Sequence, residues 1–412
     1  MGIVPLEISP AGKAGQVEMP AARRAARFVP ARRSQVSVPE SGDEVGEGAG
    51  PGPGDPTAVA ERARKGRGAG INPSGRFEPH AREAMDDGWG GADEPQPIRT
   101  EVTPEKARSI ITRNDSPDIA FDRSVNVYRG CEHGCVYCYA RPSHSYLGLS
   151  PGLDFETKLF SKPDAARLLE REISAPGYHP KAIAMGTNTD PYQPVERQLG
   201  LTRAVLEVLD AANHPVTIVT KSAGVLRDLD ILSRMAARGL AKVALSVTTL
   251  DGKLARSMEP RAATPGRRLE AIRQLSEAGV PTGVMVAPII PALTDHEIER
   301  ILDAAAEAGA REAGFVMLRL PHEVADIFKD WLVRDHPDRF RHVMNLVKAM
   351  REGAENEASF GKRMTGSGPY AWTIGRRFEL AARRLGLNKR RAKLRTDLFR
   401  PPSGAGVQLS LF

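Results

Sequence analysis

Residues 124–138 read Ser-Val-Asn-Val-Tyr-Arg-Gly-Cys131-Glu-His-Gly-Cys135-Val-Tyr-Cys138, a short β-rich run leading straight into a loop that carries all three cysteines of the 412-residue chain. With every thiol on one loop there is no disulfide framework, so the loop itself is the point. Thiolates at this density either react or hold metal. Three of them leave a tetrahedral metal centre one protein ligand short, as in a catalytic zinc or an iron–sulfur cluster with one iron open to another molecule. His133 and His144 are near enough in sequence to complete a zinc site, but a structural zinc site usually has a second Cys or Cys/His pair, and none exists here.

Working outward, β-rich runs recur at 124–128, 181–185, 215–220, 242–248, 282–287 and 313–318, with helical patterns at 165–173, 201–212, 226–238, 267–278 and 295–308. Six such units predict a parallel sheet, open or closed into a barrel. Ala278-Gly279 and Ala308-Gly309 read as helix stops before a strand. In such barrels the active site lies at the C-terminal strand ends, and the cysteine loop follows the first strand. Further helices are expected at 324–333, 339–351 and 375–385.

The flanks differ in texture. Residues 1–65 are rich in Ala, Gly, Pro, Arg and Glu without apolar periodicity and are expected to be disordered. Residues 66–120, including Asp86-Asp87-Gly88-Trp89, are expected to form a strap on a core spanning 121–320. A helical extension over 321–400 ends in a basic tail, and 401–412 is expected to be flexible. The chain carries 58 basic and 51 acidic residues. No stretch approaches the 18 or so apolar residues of a membrane span, and no apolar signal-peptide region opens the chain. A cytoplasmic setting that keeps the thiols reduced is the expectation.

The Cys-x3-Cys-x2-Cys spacing, with Tyr137 just before the third cysteine, resembles the signature of the radical S-adenosylmethionine (radical SAM) enzymes. The resemblance implies a partial (β/α)6 TIM-like barrel in which Cys131, Cys135 and Cys138 hold a [4Fe–4S] cluster. It also implies that the open iron binds the amino and carboxylate groups of S-adenosylmethionine (SAM) and that the backbone at Tyr137 meets the adenine. Flavodoxin or ferredoxin is the implied electron donor. The Asn-x-Tyr-Arg-Gly-Cys entry, the Thr189-Asp-Pro-Tyr-Gln-Pro194 segment and Glu259-Pro-Arg261 are similar to the branch related to spore photoproduct lyase, the "DNA repair photolyases".

On the barrel reading, polar strand ends line one pocket. Gly186, Thr187, Asn188, Thr189 and Asp190 occupy the position of the family segment that receives the SAM amino group. Ser222, Ser246 and Thr248 are expected near the SAM ribose and carboxylate, Lys221 beside a carboxylate or phosphate, and Arg261 on the SAM carboxylate. Pro288 lies in an apolar stretch suited to the adenine, and Arg319 is expected to face substrate. Each hydroxyl can equally cap the helix that follows it. Spore photoproduct lyase returns a hydrogen atom through a further cysteine, and this chain has none left. Tyr139 and Tyr192 are therefore the radical-relay candidates, against simple packing or base stacking.

Residues 376–400 hold ten Arg or Lys and two acidic residues, a net +8 against +7 for the whole chain. Such a patch fits salt-dependent binding to DNA or RNA, or a solvated helix face. The terminal Gln408-Leu409-Ser410-Leu411-Phe412 resembles the peptide with which bacterial repair proteins dock on the DNA sliding clamp; an apolar tail folded back on the barrel is the alternative. The expected activity is reductive cleavage of SAM to a 5′-deoxyadenosyl radical acting on DNA or another nucleic acid in a repair-type lyase reaction. Modification of a small molecule or protein, and a zinc-dependent or structural nucleic-acid binder, are the alternatives.

Overall fold

Short runs of Val, Ile, Ala and Met that are apolar at almost every position suit strands covered on both faces, and such strands pair in parallel. The computed structural model, which describes residues 66–78 and 98–402, contains ten strands. These are β1 (Glu101–Pro104), β2 (Ile111–Arg113), β3 (Arg123–Val125), β4 (Tyr128–Arg129), β5 (Lys158–Ser161), β6 (Ile183–Met185), β7 (Val216–Thr220), β8 (Ala241–Ser246), β9 (Thr282–Ile289) and β10 (Glu312–Met317). The larger sheet has the order β10-β9-β8-β7-β6-β3-β2. Six of its strands, β3 and β6 to β10, run parallel in chain order, and β2 adds an antiparallel edge to β3. No ladder joins β10 to the other edge, so the (β/α)6 barrel is partial.

The helices are α1 (Leu153–Thr157), α2 (Ala165–Ile173), α3 (Glu196–Leu199), α4 (Leu201–Ala211), α5 (Leu229–Ala237), α6 (Gly252–Met258), α7 (Pro265–Glu277), α8 (Ile298–Glu307), α9 (Val324–Asp335), α10 (Phe340–Ala349), α11 (Lys362–Thr365) and α12 (Gly368–Arg384). Between the parallel strands, α2, α4, α5, α7 and α8 turn apolar faces to the sheet; Leu206, Ile231, Ile272 and Ile301 are fully buried there. A second apolar cluster joins Cys135, Val136 and Tyr137 to Phe328, Trp331 and Leu332 of α9 and Val343 and Val347 of α10. The C-terminal helices thus back the cysteine loop with packed side chains.

Several expected boundaries move. The run expected as one strand over 124–128 splits, because the chain leaves β3 at Asn126 and re-pairs as β4 with β5 in a separate sheet of order β1-β5-β4. The helix expected over 226–238 begins as a 3-10 turn at Ala223, where the Ser222 hydroxyl caps Gly224 N at 3.0 Å. The last helix starts seven residues earlier than its expected start at 375. Glycine inside a helix costs only about 1 kcal/mol, and Gly375 faces the Phe315 ring closely enough that a Cβ would lie 3.8 Å from it.

After α12 the chain crosses the N-terminal ends of the strands. Asn388 bonds Ala313 at the start of β10, Arg395 N bonds Gly239 O ahead of β8, and Arg400 N bonds Ala212 O ahead of β7. The expected disordered segment 1–65, the 86–89 stretch and the clamp-like Gln408–Phe412 lie outside the described residues. No helix among the described residues is long and apolar enough to cross a membrane.

Candidate functional site

The cysteine loop is held through its backbone, and its thiols are free. Cys131 N bonds Phe155 O at 2.9 Å, Val136 N bonds Met258 O at 3.0 Å, and Glu132 N bonds the Gln193 side-chain carbonyl at 2.9 Å. Gly130 and Gly134 have φ of 76° and 68°, and a Cβ on either would collide with neighbours, at Gly130 including Phe155 O at 2.9 Å and at Gly134 the Glu156 carboxylate at 2.7 Å. None of the three cysteines is in a disulfide. Burial pushes all three thiols up, helped at Cys131 by the charge of Asp190 and at Cys135 by that of Glu259.

Behind the loop is a buried clasp. The Arg141 guanidinium donates to Cys135 O at 2.9 Å, to Pro151 O and Gly152 O, and to the Glu156 carboxylate. Glu156 is fully buried and also accepts Gly68 N at 3.0 Å and Ala69 N at 2.9 Å. A Cβ on Gly68 would sit 1.8 Å from Gly134 O, so only glycine lets the strap lie this close to the cysteine loop. A second tie runs through Glu132, which accepts from Thr100 at 2.6 Å and pairs with Arg261 at 3.1 Å.

The strand-end residues converge on the same face, in several different states. The Gly186–Asp190 turn is organised by Asn126, whose side-chain oxygen accepts Asn188 N at 3.1 Å and whose amide donates to the Thr187 hydroxyl at 3.2 Å. Gly186 has φ of 85°, with Val219 O where a Cβ would stand. Thr189 donates to Tyr128 O at 3.3 Å. Both Asp190 oxygens are engaged, by Thr220 and Lys221 N at 2.7 Å each and by His133 at 3.4 Å. Burial would raise this carboxyl, but His133 and the donated hydrogen bonds outweigh it and hold it at about 2.

Glu259 is the hub on the opposite side. Its buried carboxylate accepts from Tyr137, Thr248 and Arg268. Lys221 donates to Ala287 O at 3.2 Å and lies 3.9 Å from Glu259 and 5.7 Å from the Tyr137 ring centre. Ser246 is buried, and its carbonyl accepts from Arg268. Pro288 is half-buried beside buried Ile289 and Ile290. Thus Ser222 caps a turn and Arg261 pairs with Glu132, while Gly186, Thr187, Asn188, Lys221 and Pro288 stay partly open. Glu156, Arg141 and Asn126 carry the local architecture, and no motif announces the first two. The only signal is an acidic residue on each side of Phe155 in the run Leu153-Asp-Phe-Glu-Thr157, all of which is buried.

The two relay tyrosines part company. Tyr139 is 51% exposed, donates to Thr187 O and has the Arg319 guanidinium 5.7 Å from its ring centre. Tyr192 is 4% exposed, with Arg227 over its ring at 5.8 Å. The cationic segment 376–400 is elsewhere. Arg376, Arg377, Arg384 and Arg395 pair with Glu379, Glu299, Asp303 and Asp397, and the remaining cations lie along α12 and the segment crossing the N-terminal strand ends, opposite the cysteine loop. A cavity of about 240 Å³ at that end is lined by Lys242, Glu312 and Leu394. A larger cleft of about 740 Å³ opens between the 292–296 turn, α10 with the residues just before it, and the start of α12, lined by His296, His336 and His342. Neither touches the cysteine loop.

Among the described residues no three His, Cys, Asp or Glu side chains converge tightly enough to share one metal ion. A tetrahedral zinc needs donors within about 2.0–2.3 Å of one point, whereas a [4Fe–4S] cluster spreads its thiolates over separate irons. Two buried thiols and a third partly buried, free of disulfides on a glycine-cradled loop, fit such a cluster. The model of the radical SAM superfamily matches residues 125–305. An uncharacterized protein of Mycobacterium tuberculosis is 38% identical over 232 residues, covering 56% of this chain and 68% of its own. One of Methanocaldococcus jannaschii is 26% identical over 254 residues, covering 61% and 90%. Among solved structures, spore photoproduct lyase complexed with dinucleoside spore photoproduct matches with a TM-score of 0.52 at 16% identity, over 69% of this chain and 80% of that one. A mutant of it with bound AdoMet and the dinucleoside matches with the same TM-score at 15% identity. On the sequence match and the fold together, the chain belongs to the radical SAM superfamily, whose members use a [4Fe–4S] cluster and SAM.

Proposed function

We propose that the protein reductively cleaves SAM and acts on a nucleic-acid substrate, as a repair-type lyase does. The observation that carries the first half is a cradled loop of three cysteines, two buried and Cys138 partly open, at the C-terminal ends of six parallel strands, with the half-open Gly186–Asn188 turn and Lys221 on the same face. When bound, the cluster and SAM would supply one-electron reductive cleavage of the SAM C5′–S bond and hydrogen-atom abstraction from substrate. Cys131, Cys135 and Cys138 would hold the irons. Tyr137, pinned through its hydroxyl to Glu259, would present its backbone to the adenine beside Pro288. The Gly186–Asn188 turn and Lys221 would bind the polar end of SAM, and Asp190 would keep that turn and His133 in place. A flavodoxin or ferredoxin would deliver the electron.

The nucleic-acid half is supported by the fold neighbour, which holds a dinucleoside spore photoproduct, and by the exposed Tyr139 ring beside Arg319 on the catalytic face. With no fourth cysteine, the closing hydrogen atom would come from Tyr139 or return from 5′-deoxyadenosine. Tyr192, enclosed by Arg227 and its neighbours, is the poorer relay. One observation favours modification of a small molecule or protein instead: the most cationic segment faces away from the site. Anaerobic reconstitution with iron and sulfide assay, followed by SAM turnover with damaged and undamaged oligonucleotides, tests both halves. A full cluster with intact SAM overturns the first, and 5′-deoxyadenosine formation indifferent to every oligonucleotide overturns the second.

A further inference from the structure

The fully buried arginines around the catalytic face each hold several hydrogen bonds, although the Nε of Arg351 also lacks a partner. Arg141 meets Glu156, Arg268 meets Glu259, and Arg351 donates to the carbonyls of Leu318, Lys362 and Arg363. Arg319 has no such match. It lies two residues beyond β10, on the cysteine-loop side of the barrel, and among the described residues no carboxylate pairs with it. Its Nε is buried without a hydrogen-bond partner, and its Nη1 reaches only the Met364 sulfur at 3.7 Å.

The surroundings sharpen the imbalance. Arg363 stands close by, with Asp118 already taking its guanidinium at 2.7 Å. Burial first, then the charge of Arg363, pull the Arg319 pKa below its ordinary value, and burial followed by Arg319 pulls Arg351 down to about 10. A half-buried guanidinium beside other cations, its Nε cut off from water, is left uncompensated unless an anion completes it. The open planar fork suits a two-pronged contact with an oxyanion. Exposed aromatic faces flank it: Tyr139 under Arg319, and Phe360, 57% exposed, with Arg363 at 4.7 Å from its ring centre. Alternating cations and stacking faces match a strand of phosphates and bases, whereas a lone carboxylate would have no use for the rings.

We infer that Arg319 is the anion-binding residue of the substrate pocket and that it takes a phosphodiester oxygen of a nucleic-acid strand, with Tyr139 stacking on the adjoining base. This rests on the nucleic-acid reading above and adds the group recognised and the residue that recognises it.

The test uses the reconstituted protein, anaerobically, with a fluorescently labelled single-stranded oligodeoxynucleotide displaced by thymidylyl-thymidine or by its uncharged methylphosphonate analogue. Wild type should prefer the phosphodiester by about tenfold or more, the size of a charge-assisted contact. Arg319→Gln should bind both alike and lower the salt slope by about one. Arg319→Lys should fall between, since an ammonium keeps the charge and loses the fork. Iron content reports whether each variant is assembled, and if R319Q loses its cluster, R319K against wild type carries the comparison. No discrimination in wild type, or full discrimination in R319Q, overturns the subsite alone. An oligonucleotide that does not bind wild type at all overturns the subsite and the nucleic-acid reading together.

Discussion

His133 Nδ1 lies 3.4 Å from Asp190 Oδ2, so the residue between the first two cysteines is tied to the loop after the second parallel strand. Asp190 also accepts the Thr220 hydroxyl and Lys221 N from the end of the third. One carboxylate therefore links the cluster loop to two strand ends. Asp190→Asn keeps the shape and loses the charge, and should cost roughly 3 kcal/mol, as expected for breaking a buried charged contact. Urea denaturation and iron bound per chain measure it; unchanged stability with full iron content would refute the linkage.

Glu156 makes a parallel prediction for the strap. Glu156→Gln leaves Arg141 without its counter-charge and weakens the hold on Gly68 and Ala69. Faster proteolysis between residues 66 and 78 and quicker loss of the cluster in air are expected, with about 3–5 kcal/mol lost as for any halved buried pair. Gly68→Ala should reproduce the strap release with Glu156 intact, because a Cβ there meets Gly134 O.

Cluster loading should rise with pH. Burial pushes the three thiols up, so the metal-free protein holds them protonated near neutrality and binding must expel protons. Iron incorporated at a fixed time should therefore increase from pH 7 to pH 8.5. A flat or falling profile would contradict it.

The far end of the barrel has its own pH response. His214 is buried against Tyr178 and Phe399, and burial lowers its pKa to about 4. Its folded pKa lies below the unfolded value of about 6.5, so the unfolded chain binds the extra proton. The stability it contributes is complete above about pH 6.5 and is lost as pH falls toward 4. His214→Gln should flatten the drop in urea midpoint between pH 7 and pH 4.5.

Truncation after Leu385 should destabilise the barrel as well as remove cations. Leu387 is buried in the main core, and Leu398 and Phe399 pack against it. Losing them costs roughly 3–5 kcal/mol, visible as a lower thermal midpoint. A truncated protein of wild-type stability would show that the segment is only a charged tail.

Much of this was legible in the residues. The six β-rich runs announced a parallel sheet, because parallel pairing is written in local period, and the cysteine spacing with Tyr137 carried the resemblance that implied the superfamily and its partial barrel. Strand edges were less visible. β1, β2, β4 and β5 are two to four residues long, and their pairing rests on partners far away in sequence.

The sequence by itself determined which atoms are available: three thiols and no fourth, a glycine-rich entry, and polar residues after most of the strands. Tertiary structure alone decided which of them are free. Arg261 and Arg319 look alike in a sequence, yet one is matched by Glu132 and the other has no carboxylate partner among the described residues. The cationic segment reads as a substrate binder until the chain carries it to the opposite end of the barrel. Charge compensation and facing are properties of neighbours in space, and those neighbours are set by packing over separations that no local pattern records.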